Sequence, residues 1–115
     1  MKIAAVCGSF HKEEIQRMLE YAENEANING AQISKIIWVP GSMEVPLALD
    51  RLLKDIEVDA AIALGIIERG ETQHGLVMGQ AVTRSVIELQ IKYDKSIGLG
   101  TVSYTHLTLP TILLV

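Results

Sequence analysis

The sequence predicts an α/β protein: a four-stranded parallel sheet with helices on both faces. Two observations carry this. Short apolar runs at 2–7, 32–39, 60–66 and 96–101 have the length of strands, and the third is uncharged throughout, as a strand buried on both faces requires. The three stretches between them space their apolar residues three or four apart, the period of a helix face. Strands alternating with helices imply right-handed crossovers and parallel pairing.

Lys2 to Cys7 form the first strand, broken by Gly8-Ser9-Phe10-His11. A helix is expected from Lys12 to Asn29, with Ile15, Met18, Leu19, Ala22 and Ala26 on one face. Glu13 and Glu14 suit its first turn, where the helix dipole favours carboxylates. Asn29-Gly30 suits its end, since both residues tolerate a left-handed backbone. Gln32 to Val39 form the second strand, ended by Pro40-Gly41-Ser42. The second helix is expected from Met43 to Lys54, with Val45, Leu49, Leu52 and Leu53 inward and Pro46 inside the first turn. The third strand, 60–66, runs into the polar turn Arg69-Gly70-Glu71-Thr72, and a third helix follows from Gln73 to Lys92. Ser96 to Thr101 form the fourth strand.

Residues 102–115 break the pattern. They have no helical face and end on an apolar cluster, where a doubly wound sheet should supply a covering helix. The segment resembles translated sequencing-adapter DNA. The expectation is a truncated domain over 1–101, its C-terminal helices missing, followed by a non-native tail. A short natural edge strand is the other reading.

Composition narrows the function. The 115 residues are 49% apolar and 21% charged, with a net charge of −4 and no block of like charges. That profile suits one globular domain and lacks the clustered basic face of a nucleic-acid binder. No apolar run reaches the roughly 18 residues of a membrane span, and no signal-peptide pattern follows Met1, so a cytoplasmic protein is expected. Cys7 is the single cysteine and reads as a buried strand residue. One cysteine and three scattered histidines give no metal-ligand spacing, and no glycine-rich nucleotide loop or nucleophile elbow is present.

Three strand ends carry chemistry: Gly8-Ser9-Phe10-His11, Pro40-Gly41-Ser42-Met43-Glu44, and Ile66-Ile67-Glu68-Arg69-Gly70-Glu71-Thr72-Gln73-His74. In a parallel sheet all three open on one edge, beyond the carboxyl ends of the strands, where ligands bind. Phe10 offers a stacking surface for a flat ring. Glu44 and the first amides of the second helix offer polar partners. Gly70-Glu71-Thr72 at a helix start offers amides and a hydroxyl to an anion such as phosphate. His74 offers proton transfer at neutral pH. Each has a plainer reading: Phe10 as a core or capping residue, Glu44 as a dipole partner, Thr72 as an N-cap, His74 and Arg69 as solvated charges. The combination of Pro-Gly-x-x-Glu at one strand end and Gly-x-Thr-x-His at the next is more specific than any one residue.

At these motifs the sequence resembles the lumazine synthases. Val39-Pro40-Gly41-Ser42-Met43-Glu44-Val45-Pro46 is similar to the family's V-P-G-[AS]-[FM]-E-[IV]-P, and Ala63 to His74 is similar to A-L-G-x-[VI]-I-R-G-E-T-x-H. The resemblance spans Lys2 to Gly100. It implies a flavodoxin-like three-layer αβα fold and condensation of 5-amino-6-ribitylaminouracil with 3,4-dihydroxy-2-butanone 4-phosphate, with no metal or organic cofactor. It further implies that Phe10 stacks on the pyrimidine, that Ser42, Met43 and Glu44 hold the ribityl chain, and that Ile66 and Ile67 meet the pyrimidine edge. Glu71 and Thr72 then receive the phosphate, and His74 is the acid–base. Leu99 matches a position that reaches a neighbouring subunit's site. The implied partners are these small molecules and, if the C-terminus is intact, further copies of the chain in a homopentamer or a multiple of it, with no nucleic acid or membrane. The sequence departs from the family at His11 (Asn in the family), at Glu68 (often apolar) and after Gly100, where the expected phosphate-binding Arg, a Lys and two helices have no match. A chain without them is expected to assemble poorly or lack turnover. A non-catalytic flavin- or lumazine-binding module and an archaeal-type riboflavin synthase are the alternative readings.

Overall fold

The computed structural model describes residues 1–68 and 74–104, with the side chains of 1–66 and 75–100. Within these residues the elements run β1 (Lys2–Gly8), α1 (Lys12–Ile28), β2 (Gln32–Val39), a short 3-10 turn (Ser42–Glu44), α2 (Val45–Leu53), β3 (Ala60–Glu68), α3 (His74–Tyr93) and β4 (Ile97–Tyr104). All three pairings are parallel and the sheet order is β2-β1-β3-β4. The chain moves from β1 outward to β2, returns across β1 to β3, and continues to β4. This is the flavodoxin-like order, and it places a topological switch point between β1 and β3.

The side-chain period of two divides the strands between two cores. Ala4 and Val6 of β1, Ala61 and Ala63 of β3 and Ile97 of β4 face α2 and α3, where they meet Leu49, Leu52, Leu53, Val82 and Val86. Ala5 and Cys7, with Leu64 and Ile66, face α1 and meet Ile15 and Leu19. All four inward residues expected of α2 are buried. The α1 face is fully buried only at Ile15 and Leu19, and Ala22 and Ala26 are half-buried as the helix runs toward the sheet's edge.

α1 ends as Asn29-Gly30 suggested. Gly30 takes the left-handed backbone at φ 76°, its amide bonds to the Asn27 carbonyl, and the Ala31 amide returns to Ala26 at 2.9 Å. This is a Schellman closure.

Three boundaries differ from expectation by two residues or more. β3 runs on to Glu68 rather than ending at 66. α2 begins at Val45 rather than Met43. An α-helix starting at Met43 would need a Pro46 amide to bond back to Ser42, and proline has none. The chain instead makes a 3-10 turn, with the Glu44 amide on the Gly41 carbonyl at 3.2 Å and the Val45 amide on Ser42. The fourth strand continues past Thr101 to Tyr104, its backbone in register with Gly65 to Glu68 of β3. The remainder of the segment expected to be foreign, 105–115, lies outside the described residues.

Candidate functional site

The site forms beyond the carboxyl ends of β1 and β3, at the switch point of the sheet order. The β1 and β2 ends are tied together first: the Ser9 amide donates to the Val39 carbonyl at 2.8 Å, and Ser9 Oγ lies 3.5 Å from the Pro40 carbonyl oxygen. This holds the Phe10 loop beside the Pro40–Glu44 turn. Between them and the end of β3 opens a cleft of about 490 Å³. That volume lies within the range of small-molecule sites.

Five residues expected at the site line this cleft: Phe10, Ser42, Met43, Glu44 and Ile66. Phe10 is 54% exposed, so its ring is presented to the opening rather than absorbed in the core. Glu44 is the one charged side chain lining the cleft among the described residues, and its carboxylate curls back over Gly41, where an added Cβ would lie 3.4 Å from Oε2. By the geometry of a helical start, the amides preceding Glu44 have no partner inside the turn.

The other expected site residues fall elsewhere. Ile67 follows Ile66 on β3, and His74 opens α3. Their side chains, together with Glu71 and Thr72 of the polar turn, lie outside the described residues. Leu99 pairs with Ala63 on β4, on the α3 side with Ile97, and is 38% exposed. It is not among the residues lining the cleft.

Two wall residues escaped the sequence reading. Met78 and Val82 of α3 line the cleft and also an adjoining groove of about 280 Å³. They follow His74 at steps of four, so one face of α3 carries all three positions. That spacing was the signal available in the sequence.

Cys7 is not positioned for chemistry. It is fully buried on β1, and desolvation, with Glu23 nearby, pushes its thiol up to about 11. The thiolate that a nucleophile needs is therefore scarce at neutral pH. Among the described residues no cluster of three or more His, Cys, Asp or Glu could hold a metal ion, and no helix is long and apolar enough to cross a membrane.

A parallel sheet in the order β2-β1-β3-β4, with an apolar cleft at its switch point and one carboxylate on the rim, defines a flavodoxin-like α/β protein of the architecture in which ligands bind between strand ends. The comparisons narrow the class. The family model for 6,7-dimethyl-8-ribityllumazine synthase matches residues 1–108. The 6,7-dimethyl-8-ribityllumazine synthase of Methanothermobacter thermautotrophicus is 37% identical over 100 residues, covering 87% of this chain and 72% of the relative. That of Picrophilus torridus is 34% identical over 100 residues, covering 87% and 74%. That of Saccharolobus islandicus is 30% identical over 108 residues, covering 92% and 70%. The chain belongs to the 6,7-dimethyl-8-ribityllumazine synthase family.

Proposed function

We propose that this chain condenses 5-amino-6-ribitylaminouracil with 3,4-dihydroxy-2-butanone 4-phosphate to give 6,7-dimethyl-8-ribityllumazine, a step of riboflavin biosynthesis. The observation that carries the reading is the cleft itself, which gathers Phe10, Ser42, Met43, Glu44 and Ile66 in a protein of this family.

The roles follow from the chemistry of each group. Phe10 stacks on the pyrimidine from the open side of the cleft. Glu44 accepts hydrogen bonds from ribityl hydroxyls, and the amides at Ser42 and Met43 donate to them. Ile66 and Ile67 border the pyrimidine edge. Glu71 and Thr72, just before α3, receive the phosphate, where helix-start amides favour an anion. The 5-amino group attacks the ketone carbonyl, and loss of water gives an imine. Elimination expels inorganic phosphate, and ring closure by the ribityl-bearing nitrogen expels a second water. Each step moves protons, and His74 carries them. Holding two substrates in one cleft supplies much of the remaining acceleration.

With the C-terminal portion intact, the protein works in the cytoplasm as a homopentamer or a multiple of it. Leu99, half-exposed on β4 outside the chain's own cleft, then extends toward the cleft of a neighbouring copy. Incubation with both substrates tests the reading: the lumazine appears as a fluorescent product, released with one phosphate. Conversion of added lumazine to riboflavin would support the riboflavin synthase alternative. Binding without turnover would support a non-catalytic module. The family match favours the synthase over both.

A further inference from the structure

Phe10 sits on a short loop and is 54% exposed, so packing alone does not fix its ring. Its neighbour does. The His11 imidazole meets the Phe10 ring edge-on, with centroids 4.6 Å apart and planes at 75°. His11 is itself held. Its backbone lies in the left-handed region at φ 64°, ψ 48°, and its carbonyl accepts the Ile15 amide that opens α1, at 3.1 Å. The next residue is anchored as well, with Lys12 Nζ 5.1 Å over the Trp38 ring of β2. The left-handed backbone would accept Gly or Asn as readily as His, but neither brings a ring.

We infer that His11 is a positioning residue: its imidazole, set by the left-handed turn and pressed edge-on against Phe10, fixes the plane in which Phe10 stacks on the heterocycle. An edge-to-face pair prefers one relative orientation of its rings, so it removes orientations of Phe10 that would close or abandon the stack. The inference rests on the stacking role given to Phe10 above.

Fluorescence titration of 6,7-dimethyl-8-ribityllumazine into the full chain tests it, with a melting curve for every variant. His11→Asn and His11→Gly keep the backbone conformation and remove the ring. Both are expected to weaken binding about three- to tenfold, the range one edge-to-face pair supplies, without lowering the melting temperature, which His11→Gly is expected to raise by relieving the left-handed strain. His11→Phe restores a ring and is expected to recover most of the loss. In a Phe10→Ala background His11→Asn is expected to cost nothing further, because the group it orients is gone. Native affinity in His11→Asn and His11→Gly, or His11→Phe binding as weakly as His11→Gly, would overturn the inference while leaving the function standing. Native affinity in Phe10→Ala would overturn the stacking role and the inference together. A native chain that binds no lumazine would overturn the proposed function itself.

Discussion

At the scale of single residues, backbone conformation and side-chain chemistry make separate demands. Gly30 has open space around its Cα but a φ of 76°. Gly30→Ala therefore meets no clash and still destabilises the protein by about 1 kcal/mol, the cost of a left-handed backbone for a residue with a Cβ. Denaturant unfolding should show a lower midpoint at an unchanged slope, whereas an unchanged midpoint would mean that the turn relaxes. His11 meets the same demand with a different residue, and its ring then does something glycine could not. The sequence made Asn29-Gly30 legible as a helix end because both residue types share one conformational reason for being there. It gave no sign that His11 was left-handed, since histidine is spread over too many environments to announce a turn. For His74 the expectation is chemical. His74→Ala should slow lumazine formation roughly ten- to a hundredfold or more, the range of general acid–base groups. A rate equal to that of the native chain would remove histidine from the proton transfers.

At the scale of elements, a part-buried carboxylate network joins α2 to the end of α3. Asp50 Oδ1 accepts from Tyr93 Oη at 2.6 Å and from Lys92 Nζ at 3.1 Å, and Oδ2 from Lys54 Nζ at 3.1 Å. The Tyr93 bond first, then those of Lys92 and Lys54, hold the Asp50 carboxyl well below its ordinary value. Asp55 is lowered in the same direction by Lys35 of β2 and by the Glu57 amide. A carboxyl whose folded pKa is depressed stabilises the fold fully above its unfolded value, about 3.9, and loses that contribution as pH falls toward the folded value. Melting temperature should therefore decline as pH drops below about 5, where these carboxyls begin to bind protons on unfolding. Asp50→Asn should melt lower at neutral pH and decline less steeply in acid, with Asp55 supplying part of the remaining slope. Parallel pH profiles for the two proteins would show that Asp50 contributes no linkage. The Lys92 and Tyr93 bonds were not visible in the sequence, because those residues lie 42 and 43 positions from Asp50 and meet it only once α2 and α3 lie on one face of the sheet; Lys54, four residues on, is the local member. The elements themselves were legible, since apolar spacing is a local property. The start of α2 was misplaced because the effect of Pro46 falls on a carbonyl four residues earlier.

At the scale of the whole molecule, the cleft exists only because three strand ends are brought together by the sheet order. Alternation of strand and helix implied parallel strands, and parallel strands implied that the three loops share an edge. The order β2-β1-β3-β4, which sets the gap between β1 and β3, depends on crossover directions that apolar spacing does not encode. Because the site is made by the fold, a ligand that occupies it must stabilise the fold. At a hundred times its dissociation constant, 6,7-dimethyl-8-ribityllumazine should add about 2.7 kcal/mol to the unfolding free energy. Two substitutions separate this linkage from ordinary core stability. Leu53 is 1% exposed, packed under the sheet at the far end of α2 from the cleft. Leu53→Ala should cost about 2–5 kcal/mol, a large share of the 5–15 kcal/mol that holds a typical domain together. The ligand's increment should survive that loss unchanged, since distant sites add independently. Phe10 is half-exposed, so Phe10→Ala should shift the ligand-free stability by no more than about 0.5 kcal/mol while removing most of the ligand's increment. Denaturant melts of the three proteins with and without lumazine measure all five quantities. An increment that falls with Leu53→Ala but persists in Phe10→Ala would place the ligand away from the switch-point cleft.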